Sequence, residues 1–284
     1  MGVTFADLLR QGAARLFEDG LDNARGDAKL LLLAAAGFSG SDFILREHDM
    51  VSDDVRASYE AMITRRAERE PVSKILGVVE FFGRTFRTDS RALAPRQDSE
   101  RLVEAALEAS AGQSAGRVID LGTGSGCLLL SFLQERPAWQ GLGVDISPDA
   151  LSLARENADH MSLQDRVRFL EGSWAVAQDQ LAEIDLVISN PPYIPTGDLD
   201  GLDPEVRRHD PALALDGGSD GLNAYRDLLI LLSERLRSGV PVLFEIGFDQ
   251  AELLKSLAEG HGFAEFTVRK DFSGHNRVVG MVQQ

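Results

Sequence analysis

The sequence predicts an α/β protein: a doubly wound domain with a largely parallel sheet, preceded by a small helical domain and a β-hairpin linker. Strand-like and helical runs alternate from Arg117 onward. The region up to Glu70 carries only helical periodicity. Short apolar stretches set around glycines separate the two.

In the first region Phe5, Leu8, Leu9, Leu16 and Phe17 recur near helical spacing until Gly20 stops the run. A second helix is expected from about Asp27 to Gly37 and a third after Ser41. A long fourth helix has Ser52 as its N-cap, carries Tyr59, Met62 and Ile63, and runs to Glu70, where Pro71 ends it. No chemical motif appears in this region. Arg65, Arg66 and Arg69, interleaved with Glu68 and Glu70, read as a solvated helix face. Residues 74–87, KILGVVEFFGRTFR, set Gly77 and Gly83 around Val78, Val79, Phe81 and Phe82, the pattern of two strands and a turn. Ser99 begins, or lies near, a helix containing Leu102, Val103, Ala106 and Leu107. Strands are then expected at 118–121, 141–145, 167–171, 185–189, 240–246, 263–269 and 277–282, the earlier ones separated by helices.

Composition narrows the function. Hydrophobic residues at 44% and charged residues at 26% describe an ordinary globular chain with enough apolar side chain for a core. The 29 basic and 45 acidic side chains leave a net charge of −16, which repels nucleic-acid phosphate in the absence of a concentrated basic patch, so direct nucleic-acid binding is not expected. A lone cysteine, Cys127, excludes an internal disulfide framework and any zinc site built from several thiolates. No apolar run approaches the roughly 18–20 residues of a membrane helix. Asp7, Arg10, Arg15, Glu18 and Asp19 interrupt any signal-peptide core. A cytoplasmic chain without a membrane partner is expected.

The run RVIDLGTGSG leads a strand into a helix and places Gly122, Gly124 and Gly126 after Asp120, the first of them two residues beyond it, with Thr123 and Ser125 between them. This differs from the G-x-G-x-x-G that sets a pyrophosphate on a helix N-terminus. The glycines let the backbone turn sharply and approach a ligand, while Asp120 adds a carboxylate that favours a cationic amino-acid end over phosphates. Such turns also serve as plain strand-to-helix connections. The next strand ends at Asp145, placed to accept from two ribose hydroxyls. The same DISPDAL run also reads as a helix start capped by Ser147. Two acidic strand ends around a glycine turn favour S-adenosylmethionine over NAD. Trp174, after the third strand, is either the adenine's neighbour or a core tryptophan.

The fourth strand ends in Asn190, Pro191, Pro192 and Tyr193. Consecutive prolines fix φ and remove donors, leaving carbonyl acceptors beside the Asn190 side-chain oxygen. This is an acceptor pair suited to a planar –NH₂ group, with Tyr193 as an aromatic wall. An amide nitrogen is a poor nucleophile because its lone pair is delocalised. Acceptors holding both N–H bonds can favour pyramidalisation and aim the lone pair at a sulfonium methyl, with no metal required.

Together with ILGVVEFFGRTF, RHDPALALDGGSDGLNAYR, FEIG and DFSGHNRVVG, these motifs make the chain resemble the HemK/PrmC family of protein-(glutamine) methyltransferases over nearly its whole length. The resemblance implies a class I S-adenosylmethionine-dependent methyltransferase with a Rossmann-like seven-stranded sheet. It implies a helical substrate-docking domain at residues 1–73, a hairpin linker at 74–94 and a methyltransferase domain at 95–284. By position, Asp120, the turn from Gly122 to Gly126, Asp145, Trp174 and Asn190 would contact S-adenosylmethionine, with S-adenosylhomocysteine as product, and Asn190 to Tyr193 would hold the target glutamine. The implied partner is a peptide-chain release factor, methylated on the glutamine of its Gly-Gly-Gln motif, and the chain is expected to act as a monomer. One stretch departs from the family pattern: APRQDSE has Ala94 and Gln97 where a larger apolar residue and a proline are common, which bears on the wall of the entrance.

Two other readings remain at this point. The NPPY loop also suits an adenine amine in nucleic acid, and a non-catalytic module could bind S-adenosylmethionine as a regulatory ligand. DGGSDG reads either as a surface loop or as part of the substrate channel. His209 and His275 have no partner visible in sequence, and Cys127 is read as structural.

Overall fold

A computed structural model describes residues 2–284. The chain forms two compact units. One comprises the residues up to Val78 together with Asp203–His209, and the other comprises Val79–Leu202 with Asp210–Gln284.

The first unit is helical: α1 (Phe5–Glu18), α2 (Ala24–Ala36), α3 (Gly40–Arg46), α4 (Asp53–Ala67) and α5 (Val72–Leu76). Phe5, Leu8, Leu16, Leu31, Leu32, Tyr59 and Ile63 form its core. Gly37 closes α2 in the left-handed conformation. The third helix starts before the expected Ser41. Ser39 and Asp42 form a reciprocal capping box, which fixes the first turn at Gly40. Ser52 is the N-cap residue of α4, although its side chain makes no capping bond. That helix ends at Ala67, before Pro71, and Arg69 adopts a left-handed φ of 72°. The chain then re-forms as α5, so Lys74 to Leu76 are helical and the hairpin starts at Val78.

The basic face of α4 is not simply solvated. Arg66 is buried, donating from Nε to Asp27 at 2.7 Å and from Nη1 to Glu205 at 3.1 Å. Glu205 also accepts from Arg69 at 3.3 Å. Local charge alternation cannot reveal a carboxylate that arrives 139 residues later in the sequence. Among the described residues no single helix is long and apolar enough to cross a membrane. A pair that passes by composition, Ala24–Ala36 with Gly40–Arg46, is bent by 86°, and Leu31 and Leu32 are buried in the helical core.

The second unit opens with the hairpin strands β1 (Val78–Phe81, of which Val78 falls in the first unit) and β2 (Arg84–Arg87). Phe81 and Phe86 meet edge to face at 6.0 Å. The Phe82 amide donates to Glu100 at 2.8 Å, tying the turn to α6 (Glu100–Ala109). Then follow β3 (Gly116–Leu121), α7 (Cys127–Glu135), β4 (Trp139–Asp145), α8 (Pro148–His160), β5 (Val167–Glu171) and β6 (Leu186–Ser189). After α9 (Pro204–His209), which belongs to the helical unit, come α10 (Asn223–Arg235), β7 (Pro241–Glu245), α11 (Ala251–Glu259), β8 (Phe263–Lys270) and β9 (Asn276–Gln283).

The seven strands run in the order β5-β4-β3-β6-β7-β9-β8. All neighbours pair in parallel except β9, which is antiparallel to both β7 and β8. Strands covered on both faces need apolar side chains on both, and the period of two delivers them. Ile119, Leu121, Val187, Val242 and Phe244 enter one cluster. Val118, Leu186, Ile188 and Leu243 enter the other. The chain leaves β3 outward to β5 and returns to β6, so strand order reverses between β3 and β6. Ligands bind beyond the carboxyl ends at such a reversal.

Replacing Arg66 with alanine strands the buried Asp27 carboxylate. It is expected to lower the stability of the intact chain by about 3 kcal/mol, read as the midpoint of the first denaturant transition. An unchanged midpoint would show that the pair contributes nothing.

Candidate active site

The carboxyl ends of β3, β4 and β6 open onto a cavity of ≈ 380 Å³. Gly122, Thr123, Gly124, Ser125, Asp145, Trp174, Asn190 and Pro192 line it, all of them singled out in the sequence. The glycine turn is built by backbone geometry: Gly122, Gly124 and Gly126 have φ of 86°, 54° and 80°, which a side chain would strain. The Gly122 and Thr123 amides both donate to the Val144 carbonyl, at 2.8 and 2.9 Å. Asp145 accepts the Gly124 amide at 2.8 Å and the Ser147 amide at 2.9 Å, one on each oxygen. Ser147 caps α8 by accepting from Ala150 at 3.2 Å. Cap and carboxylate are thus different residues, and Asp145 keeps lone pairs for further donors.

Asp120, Gly126, Pro191 and Tyr193 stand behind the cavity wall. Gly126 is the N-cap of α7, where a Cβ would press on Leu130. Pro191 is buried. The Tyr193 side chain is partly buried and packs against the first core cluster, and burial pushes its phenol up to about 12. Asp120 is fully buried. Thr123 donates to its Oδ2 at 2.8 Å, while Oδ1 has no hydrogen-bond partner. Burial raises its carboxyl from 3.8 to about 7, against the Thr123 bond and helped by the nearby Asp145. An unpartnered buried carboxylate oxygen beneath a glycine turn is what a cationic ligand group would relieve. Trp174 lies across the turn, its indole nitrogen 3.9 Å from where a Gly122 Cβ would stand. Cys127, at the first position of α7, also lines the cavity, and burial raises its thiol to about 12, so it stays protonated. Neither His209 nor His275 lines it. Among the described residues no cluster of His, Cys, Asp or Glu could hold a metal ion.

The NPPY loop is clamped from both sides. Ile194 bridges Asp216 in parallel, and the Gly217 amide donates to the Ile194 carbonyl at 2.8 Å. Gln250 donates to the Tyr193 carbonyl at 2.9 Å and accepts from the Gly247 amide at 2.9 Å. Gly221, at φ 74°, lies so close that a Cβ would stand 2.3 Å from the Tyr193 oxygen. The DGGSDG segment therefore braces the loop. Ala94, Pro95, Arg96 and Ser99 of the APRQDSE stretch line the opposite wall, where Arg96 donates to the buried Asp210 at 2.7 Å. Ser99 and Asp210 fall inside marked stretches without a role, and Gln250 carried no signal at all, because each acts through a partner far along the chain.

Fold and cavity together define a class I methyltransferase. Residues 113–215 match the family model of a methyltransferase domain, and residues 7–77 match that of the PrmC N-terminal domain. The fold is shared with the hMettl16 catalytic domain in complex with MAT2A 3'UTR hairpin 6, at a TM-score of 0.59 and 14% identity over 88% of this chain and 91% of that one. The release factor glutamine methyltransferase of Caulobacter vibrioides is 42% identical over 98% of this chain and 96% of its own length. That of Rhodospirillum rubrum is 42% identical over 96% of this chain and 83% of its own length. The chain belongs to the release factor glutamine methyltransferase family.

An acid whose folded pKa lies above its unfolded value binds extra protons in the native state. Its contribution to stability is full below its ordinary pKa and is lost as the pH rises through the folded one. For Asp120 that window runs from 3.8 to about 7. Asp120→Asn should therefore stabilise the ligand-free protein more at pH 8 than at pH 5, by roughly 1–3 kcal/mol. Thermal melts at the two pH values decide it, and equal gains would rule out a raised Asp120. Gly221→Ala should push the loop off its brace and lower the methylation rate by about tenfold or more. A wild-type rate would mean that the loop tolerates the displacement.

Proposed function

We propose that this chain transfers a methyl group from S-adenosylmethionine to the side-chain amide nitrogen of the glutamine in the Gly-Gly-Gln motif of peptide-chain release factors. The observation that carries the reading is the position of Asn190. It directly follows β6 at the strand-order reversal and lines one cavity with the glycine turn and Asp145. The near full-length likeness to relatives named release factor glutamine methyltransferase supports the same substrate. The net charge of −16 favours a protein substrate over nucleic acid.

When bound, S-adenosylmethionine supplies an electrophilic sulfonium methyl and leaves as the neutral thioether, S-adenosylhomocysteine. In this reading the glycine turn approaches the amino-acid end of that molecule, and Asp120 beneath the turn adds negative charge there. Asp145 accepts from the ribose, and Trp174 borders the adenine. Asn190 Oδ1 and a loop carbonyl accept the two N–H bonds of the glutamine amide, bending the nitrogen out of conjugation and aiming its lone pair along the S–C axis. A new N–C bond forms as the S–C bond breaks, and the nitrogen then gives up one proton to water. The helical unit would hold the release factor while its glutamine occupies the cavity.

The test is peptide mass spectrometry of purified, unmethylated release factor incubated with the chain and S-adenosylmethionine, with adenine-containing DNA in a parallel tube. One added methyl on the Gly-Gly-Gln glutamine is expected. Methylated DNA with an unmodified glutamine would refute the reading. Asn190→Ala should lower kcat by about 100-fold while leaving S-adenosylmethionine affinity within a few-fold. A loss of affinity matching that of Asp145→Ala would make Asn190 a cofactor ligand instead.

A further inference from the structure

Three segments that the sequence marks without giving them a role converge behind the NPPY loop: Ser99 of APRQDSE, Glu245 of FEIG and Arg277 of HNRVVG. Register explains the meeting. Ser189 of β6 pairs with Phe244 of β7, so the next residues, Asn190 and Glu245, leave adjacent parallel strands on one face. Ser99 stands at the start of α6, which packs on that face, and Asn190 Nδ2 lies 3.5 Å from its hydroxyl. The Glu245 side chain is buried, and its Oε2 has no hydrogen-bond partner of its own. The Ser99 hydroxyl, the Arg277 guanidinium and the Asn190 amide all bear on that carboxyl and favour its charged form.

An ionised carboxylate only accepts hydrogen bonds, whereas an asparagine amide has a donating and an accepting end that can exchange by a flip. The –NH₂ of Asn190 is turned to the Ser99 hydroxyl, which bears on the same carboxyl, and with Glu245 charged this orientation leaves Oδ1 for the cavity. The flipped amide would set two acceptors against each other and offer a donor to a substrate amine that is itself a donor. We propose that Glu245 is a positioning residue for methyl transfer, holding the Asn190 amide so that its oxygen meets the substrate nitrogen. The role rests on the glutamine reaction proposed above.

Glu245 also gives the role a pH signature. Burial raises its carboxyl from 4.5 to about 7, and a protonated Glu245 can donate to Oδ1 and accommodate the flipped amide. Charged and titratable groups face it from several elements: Arg277 on β9, Asp98 beside Ser99, Tyr193 on the loop, Tyr225 on α10 and Cys127 on α7. Burial holds both tyrosines and the cysteine far above neutrality. Asp120 does titrate in the same range, so the comparison has to be between variants at saturating S-adenosylmethionine.

The experiment measures kcat, KM for release factor and calorimetric S-adenosylmethionine affinity between pH 6 and pH 9, for the unaltered chain, Glu245→Gln and Glu245→Asp. In the unaltered chain kcat should rise with pH through about 7. Glu245→Gln, which tolerates either amide orientation, should lower kcat by about tenfold with affinities within about twofold, and lose that rise. Glu245→Asp should keep the rise and recover part of the rate. A Glu245→Gln protein with unaltered kcat and the same rise would overturn the role, as would a loss of S-adenosylmethionine affinity as large as its loss of kcat. Failure of the unaltered chain to methylate the glutamine would overturn the reaction itself, and this role with it.

Discussion

Two consecutive prolines contribute no N–H, so the loop that ends β6 cannot hold itself in place by backbone hydrogen bonds at Pro191 and Pro192. Its shape must be imposed by what surrounds it. The bridge from Ile194 to Asp216 supplies part of this, and the Gln250 amide on the Tyr193 carbonyl supplies more. Gly217 and Gly221 lie against the Pro192 and Tyr193 carbonyls at distances that no side chain permits. The cost of leaving the loop's carbonyls free as acceptors is met by residues drawn from three other segments.

The same economy governs the buried acids. Asp120 and Glu245 lie within two residues of the ends of strands covered on both faces, and each keeps one oxygen without a partner. Burial drives both toward neutrality, while Thr123 in one case and Ser99 with Arg277 in the other pull back. Neither is a stable ion pair, and neither is apolar enough to be neutral packing. A cation arriving at the glycine turn would draw Asp120 toward its charged form.

Much of this was legible in the sequence where chemistry and chain order coincide. The seven strands fall where the alternation of strand-like and helical runs placed them, and the inner ones stand out because a strand covered on both faces must be apolar throughout. The glycine turn and Asp145 are local, and both line the cavity. Asp120 and Tyr193 were picked out too, but residue type alone did not show that Asp120 is fully buried beneath the turn or that Tyr193 packs on the first core cluster. The α4 arginines read as solvated because Glu205 comes from far along the chain. Glu245 and Arg277 sat inside marked motifs, but their meeting with Ser99 depends on strand order, which one sequence does not display.

The helical unit is also not one continuous stretch of chain. Asp203–His209 belongs to it, and Glu205 from that segment supplies the acidic partner of Arg66 and Arg69. A chain emerging from the ribosome in order would therefore assemble most of the unit early, yet leave its set of charges incomplete until β3 to β6 had followed. The amino-terminal helices are thus finished late, by a segment made after most of the sheet, and the two units are not beads that could be recombined by joining one end to another.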